Sequence, residues 1–174
     1  MNYISVLKEP LNNVYMIEGT IWHYHTALPA QPSLSPDSLF LNSPYILVFC
    51  EDGWTPFVHT GMCYKLNPWG ATWKTARNFC RDKDGDLVSI KDQQTNEFIV
   101  SLGHPWGAYM IGGHDETEGE WKWSDGSHWV YSNWNTGEPN NKNGAEDYLV
   151  IQGSGGKWAD VGENSKVWFY CQKA

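Results

Sequence analysis

Basic side chains are scarce in this chain. Its 174 residues carry 12 Lys and Arg against 20 Asp and Glu, a formal net charge of −8. Duplex nucleic acid and anionic membranes attract basic surfaces, so no nucleic-acid partner is expected. Long apolar runs are also missing. Nothing approaches the roughly 18 residues of a membrane span, so no membrane insertion is expected. Residues 1–10 hold no run of about 7–15 apolar residues behind a basic start, so no secretory leader is visible. No serine sits in a nucleophile elbow, and no glycine loop is built for phosphate. His59, His104, His114 and His128 are scattered without triad logic. Coiled-coil heptads, internal repeats and C-x-x-C pairs are absent.

What remains is a chain of one ordinary domain, with room for an appendage. A core of that size folds without metal, so a metal here would serve function. Aromatics are abundant, and ten of the eleven Trp follow residue 50. The cysteines are Cys50, Cys63, Cys80 and Cys171. They read either as four buried thiols or as two disulfides formed in an oxidising compartment. A Cys50–Cys63 bridge would staple a short hairpin, and a Cys80–Cys171 bridge would tie an early helix to the last strand. The disulfide reading predicts a secreted, extracellular protein. The missing leader conflicts with it, unless the natural chain starts elsewhere, export takes another route, or the thiols stay reduced.

The richest stretch spans residues 138–160. It contains Glu138-Pro139-Asn140-Asn141, then Glu146-Asp147, then Trp158-Ala159-Asp160, separated by Gly, Asn and Ser. Such oxygen-rich loops suit Ca²⁺, which takes about six to eight oxygen ligands. A carboxylate and an amide flanking one proline set an acceptor beside a mixed donor and acceptor. That pair matches two neighbouring hydroxyls of a sugar ring.

Along the chain, residues 1–49 form an extension of unreadable structure. Residues 28–38, rich in Pro and Ser, resemble a linker. His23 and His25 make an H-x-H pair with no evident third ligand, read as a surface pair. The texture changes at Cys50, where a domain over 50–174 is expected. Strands are expected at 62–66, 87–90, 109–112, 120–123, 148–151, 156–158 and 168–171. Thr72 and Asp92 are plausible caps of two helices with apolar stripes at helical spacing. Between Trp123 and Tyr148 lies a long loop of Ser, Asn, Gly and Trp, and loops of that length are usually functional.

Several motifs now fall in order: Cys50-Glu51-Asp52-Gly53-Trp54 with Cys63-Tyr64, then Trp73-Lys74-Thr75-Ala76 before Cys80. Gly85-Asp86-Leu87-Val88-Ser89-Ile90, Tyr109-Met110-Ile111-Gly112-Gly113 and Trp168-Phe169-Tyr170-Cys171 follow. With Glu138-Pro139-Asn140, this series resembles the long form of the C-type lectin-like domain over residues 50–173. The resemblance implies an α+β fold with two helices, small antiparallel sheets and a long Ca²⁺-binding loop. It implies disulfides among Cys50, Cys63, Cys80 and Cys171. By resemblance, Glu138, Asn140, Glu146 and Asp160 hold a sugar-contacting Ca²⁺, with a cis bond before Pro139. Asp115 and Glu118 match a second Ca²⁺ site, completed by Asn141, Glu146 and Asp147, that orders the long loop. The Glu-Pro-Asn order is similar to that of readers of mannose, fucose and N-acetylglucosamine, not galactose. Mannose-type glycans, on glycoproteins or microbial surfaces, are the expected partners.

Two departures stand out. The second core disulfide of the family falls on Tyr148 and Glu163, and a bridge over that loop would contribute about 3 kcal/mol. Tyr148 is expected to fill the vacated volume. Where sugar-binding members have Trp-Asn-Asp, this chain has Trp158-Ala159-Asp160, which predicts weakened sugar binding. The alternative function is a lectin-like domain that binds a protein or another surface without sugar. A metal-dependent hydrolase using Asp115, Glu118, Glu138, Glu146 and Asp147 is disfavoured, because no base or His ligand accompanies the acids. The chain is therefore not expected to be an enzyme.

Overall fold

The computed structural model describes residues 3–6, 15–17, 20–22, 47–115 and 119–174. The linker-like stretch at 28–38 and the His23/His25 pair lie outside them. Two compact units divide the chain, Met1–Cys63 and Tyr64–Ala174.

The first unit contains strands β1 (Tyr3–Val6), β2 (Tyr15–Ile17), β3 (Thr20–Trp22), β4 (Leu47–Cys50) and β5 (Thr55–Phe57). Strand β1 pairs antiparallel with β4, Tyr3 lying opposite Cys50. Strands β2 and β3 form a two-stranded ladder. Residues 1–49 show no element by sequence patterning, because strands of three or four residues are too short to show a period. Cys50 and Cys63 are disulfide-bonded. Trp54 and Val58 are buried beside that bridge in the chain.

The second unit opens along β6 (Met62–Ala71), longer than the expected 62–66. Helix α1 (Trp73–Arg81) follows, and its N-cap Thr72 accepts a hydrogen bond from the Thr75 N–H. It buries Trp73, Ala76 and Cys80 at the spacing of one helical face. Strand β7 (Asp86–Leu87) is only two residues long, where a strand over 87–90 was expected. Val88 to Ile90 are nonetheless buried, and Val88 N–H donates to the Tyr170 carbonyl. Apolar burial there comes without a continued ladder. Helix α2 (Gln93–Ser101) starts at Asp92, whose carboxylate accepts from Thr95 N–H at 2.7 Å.

Strands β8 (Ala108–His114), β9 (Lys122–Trp123), β10 (Tyr148–Gln152), β11 (Trp158–Val161) and β12 (Val167–Lys173) complete the unit. The sheet order is β11-β10-β8-β12-β6, with β7 on β12 and β9 on β8. Most pairs are antiparallel, and β12 runs parallel to β8. The expected strand at 156–158 instead begins at Trp158, because Gly155 and Gly156 take positive φ in the turn before it. Gly112 allows a close approach in the middle of β8. A Cβ there would sit 2.8 Å from the Ser124 hydroxyl and 3.0 Å from the Leu87 carbonyl. This packing carries the long loop's first residues onto the core.

The core is built from Ile99, Ile111, Leu149, Ile151, Trp158 and Phe169, all fully buried. The Cys80–Cys171 disulfide joins α1 to β12 across 91 residues. For a loop near that length the chain-entropy model gives about 4.7 kcal/mol. Tyr148 is buried and stacks on Trp73 with ring centroids 5.0 Å apart. Glu163 is solvent-facing, with its carboxylate 3.9 Å from Lys74. The aromatic ring thus takes space on the inner side, as expected where a bridge is missing.

Candidate functional site

The long loop leaves β9 and wraps a cluster of indoles. Trp123 stacks on Trp129 at 4.5 Å, and Trp134 meets Trp121 at 4.9 Å. Trp123, Trp129 and Trp134 pack on Trp158, whose indole N–H donates to the Asn96 side chain at 2.8 Å. Trp134 also bridges to Trp158 through the backbone, with Asn135 N–H donating to the Trp158 carbonyl at 2.8 Å. The returning loop is thereby fastened to β11.

That attachment sets up the next turn. Glu138 N–H donates to the Asn135 carbonyl at 3.0 Å, and Gly137 sits inside the turn with φ of 85°. A positive φ at this position requires glycine or a similarly permissive residue. The Glu138–Pro139 peptide is cis. The Asn140 side-chain amide donates to both Glu138 carboxylate oxygens, at 2.8 and 2.9 Å. Asp160, on β11, receives the loop from the other side. Its carboxylate accepts from Asn140 N–H at 3.0 Å and from Asn141 N–H at 2.6 Å. Strand alternation buries Trp158 and Asp160 and turns the half-buried Ala159 to the opposite face. Glu138, Asn140 and Asp160 are therefore one hydrogen-bonded group.

Electrostatics reflect that closeness. A hydrogen bond shared with Asp160, together with partial burial, raises the Glu138 carboxyl above its ordinary range. Burial pushes Asp160 upward, but hydrogen bonds from Glu138, Asn140 and Asn141 outweigh it and hold Asp160 below its ordinary value. Two carboxyl groups held this close favour positive charge between them.

The remaining residues lie one step away. Asn141, at φ of 40°, accepts from Glu146 N–H through its side-chain oxygen at 3.2 Å. The Glu146 carboxylate accepts from Lys142 N–H at 3.0 Å. A short 3-10 turn over Lys142–Gly144 separates the two. Asn141 so links Glu146 to Asp160 through its own backbone and side chain. The Asp147 carbonyl accepts from Asp115 N–H at 2.8 Å. The Asp115 carboxylate accepts from Gly119 and Glu120 N–H, closing its own loop. Glu118 lies outside the described residues. Among the described residues no three His, Cys, Asp or Glu side chains converge in metal-holding geometry. The donor set nonetheless suits a hard cation. Two carboxyl groups lie close together, the Asn140 amide stands beside them, and Glu146 is one residue contact away.

Patterning did not reveal the link made by Asn141. Its neighbours Asn140 and Glu146 stood out by type, but the αL turn that joins them has no signature beyond Asn and Gly content.

This fold and this loop define a class of domain that known proteins share. A family model described as Lectin C-type domain matches residues 70–173. The chain belongs to the C-type lectin domain family. CD209 antigen-like protein C of Mus musculus is 35% identical over 129 residues, which span 72% of this chain and 70% of that protein. The cow C-type carbohydrate-recognition domain of CD23, solved in the presence of a GlcNAc2Man3 oligosaccharide, superposes with a TM-score of 0.66. It is 32% identical and covers 71% of this chain and 95% of that one. A calcium-independent type II antifreeze protein also has a TM-score of 0.66, at 26% identity over 72% of this chain and 94% of its own. The chain spans about a third of the length of the first curated relatives, 32% and 37% of two human proteins. Among the described residues no helix is long and apolar enough to cross a membrane.

Proposed function

We propose that this chain is a calcium-dependent glycan-binding protein of the mannose, fucose or N-acetylglucosamine type. Its lectin-like domain is taken as residues 50–174, and 1–49 as an extension. The carrying observation is the Glu138–Asp160 carboxyl pair, held together by Asn140 and Asn141. Glu138, Asn140, Glu146 and Asp160 would hold the ion. Calcium supplies positive charge for the two carboxylates and open positions for sugar hydroxyl oxygens. Asn140 and Glu138 flank that position as donor and acceptor for two adjacent hydroxyls. The backbone N–H groups of Asn140 and Asn141 keep Asp160 aimed and ionised. Asp115, Glu118, Asn141, Glu146 and Asp147 are proposed as a second Ca²⁺ site that orders the loop. The two disulfides favour an extracellular setting.

Ala159 weakens the site. A side-chain oxygen and a hydrogen bond to a sugar hydroxyl are both lost there, and one such bond is worth about 1–3 kcal/mol. Retention on immobilised mannose in millimolar-range calcium, with elution by chelator, tests the reading. Passage straight through the column contradicts it.

A second reading is favoured by Ala159 and by the antifreeze neighbour, a calcium-independent protein. In this reading the domain binds a protein or another surface without sugar. The substitution Ala159→Asn discriminates the two. Sugar binding created by the substitution, and absent without it, supports the second reading.

A further inference from the structure

We propose that the groove between Trp106 and Trp168 is a second, metal-independent carbohydrate site that stacks a neutral β-gluco-configured pyranose. The groove encloses about 490 Å³ and is lined by His104, Trp106, Tyr109, Val167 and Trp168, among others. That volume lies within the roughly 300–1,000 Å³ of small-molecule pockets. Trp106 is 92% exposed, more than any other large apolar side chain among the described residues. Trp168 is 38% exposed, and its ring centroid lies 6.4 Å from that of Tyr109.

The loop under Trp106 is braced. The Tyr109 hydroxyl donates to the His104 carbonyl at 2.9 Å and accepts from His104 N–H. Gly107 N–H donates to the His104 carbonyl at 3.0 Å, and Gly153 N–H donates to the Gly107 carbonyl at 2.7 Å. An indole held in water on a rigid turn is pre-organised, so binding costs little ordering entropy.

The lining chooses the ligand class. No Asp, Glu, Lys or Arg lines the groove, in a chain of net charge −8, so a charged ligand finds no ion-pair partner. Two indoles at about 150–250 Å² each fall short of the roughly 800 Å² per partner of a standard protein interface. Indole faces attract C–H groups, while the indole N–H and the His104 imidazole offer hydrogen bonds at the edge. A β-gluco ring meets both needs. All its hydroxyls are equatorial and its ring C–H bonds axial, so both faces are flat and apolar. An axial hydroxyl, as in galactose, spoils one face.

The position matters as well. The groove lies at the start of β8, where Ala108 pairs with Gln152. The Asp160 group joins near the other end, where Leu149 pairs with Asp160 and Tyr148 with His114. Six steps of strand lead from Ala108 to His114, roughly 20 Å. One chain then carries two glycan contacts at opposite ends of its sheet. The ligand class rests on the glycan reading above, but the site needs no calcium.

The test is an NMR titration of the ¹⁵N-labelled full chain with cellobiose in excess EDTA. The indole N–H signals of Trp106 and Trp168 are assigned with Trp106→Phe and Trp168→Phe. Both signals are expected to shift and saturate, and methyl β-galactoside should bind about tenfold more weakly, a difference of about 1.4 kcal/mol. Trp106→Ala removes the shift at Trp168, whereas Glu138→Gln leaves both shifts intact. Three outcomes overturn the proposal: no saturable shift, an unchanged Trp168 response in Trp106→Ala, or the same shifts on merely concentrating the protein. Loss of calcium-dependent mannose retention with these shifts preserved refutes only the calcium reading, and the reverse pattern refutes only this site.

Discussion

Glu138 is the residue on which the calcium reading turns. Its carboxyl is raised by its hydrogen bond with Asp160 and by partial burial, and both carboxyls must be ionised to hold a cation. The sign follows directly. Above the raised value both groups are ionised and calcium binding is full. As pH falls through it, protons compete and affinity drops. The loss begins at a higher pH than an ordinary Glu, near about 4.3, would give. Calcium affinity measured from pH 7.5 to about 5 should therefore decline, and a flat profile contradicts the proposed ligands. Glu138→Gln keeps the shape but removes one charge. It should weaken calcium at least about tenfold, an energy of about 1.4 kcal/mol, with an unchanged unfolding midpoint.

At the scale of elements, the fold is held where loops meet strands. Asp125, at the entry to the long loop, accepts from the Ser89 hydroxyl at 2.7 Å and the Gln172 amide at 2.9 Å. It so ties the loop to the segment after β7 and to β12. Asp125→Ala leaves the buried Ser89 and Gln172 groups short of a partner, at a cost of about 1–3 kcal/mol. Chemical denaturation reads it, and an unchanged midpoint would contradict the tie. Tyr148→Ala opens the space beside Trp73 and should cost about 3–5 kcal/mol, as large aromatic truncations do. A loss under about 1 kcal/mol would mean that the ring does not replace the missing bridge. Both helices were legible in the sequence, because Thr72 and Asp92 are caps and the apolar spacing behind each is helical. Strands β8, β10 and β12 were legible as apolar runs ended by glycine or polar turns. Strands β1 to β3 were not, because three or four residues carry no period. Tyr148 as the ring replacing a disulfide was legible only through comparison with a family pattern.

At the scale of the whole molecule, two kinds of information separate. The acids of the candidate site were legible by type and spacing, since Glu138, Asn140 and Asp160 lie within one stretch of chain. Their connection through Asn141 is a matter of backbone conformation. The Trp106–Trp168 groove was illegible, because 62 residues of chain separate its two indoles and only the parallel β8–β12 pairing joins them. Family membership fixes the scaffold, and the scaffold alone does not decide the ligand, because function resides in the site and not in the fold. A calcium-independent protein with the same superposition score makes the point concretely. In the proposed reading, Glu138, Ala159, Asp160 and their neighbours decide between metal, sugar and protein partners.

The most direct measurement is a calorimetric titration of calcium into the chain, alone and with excess methyl α-mannoside. The account predicts calcium binding that the sugar tightens, because metal and hydroxyls share one site and each must favour the other. Calcium binding indifferent to sugar, or no calcium binding, would contradict it.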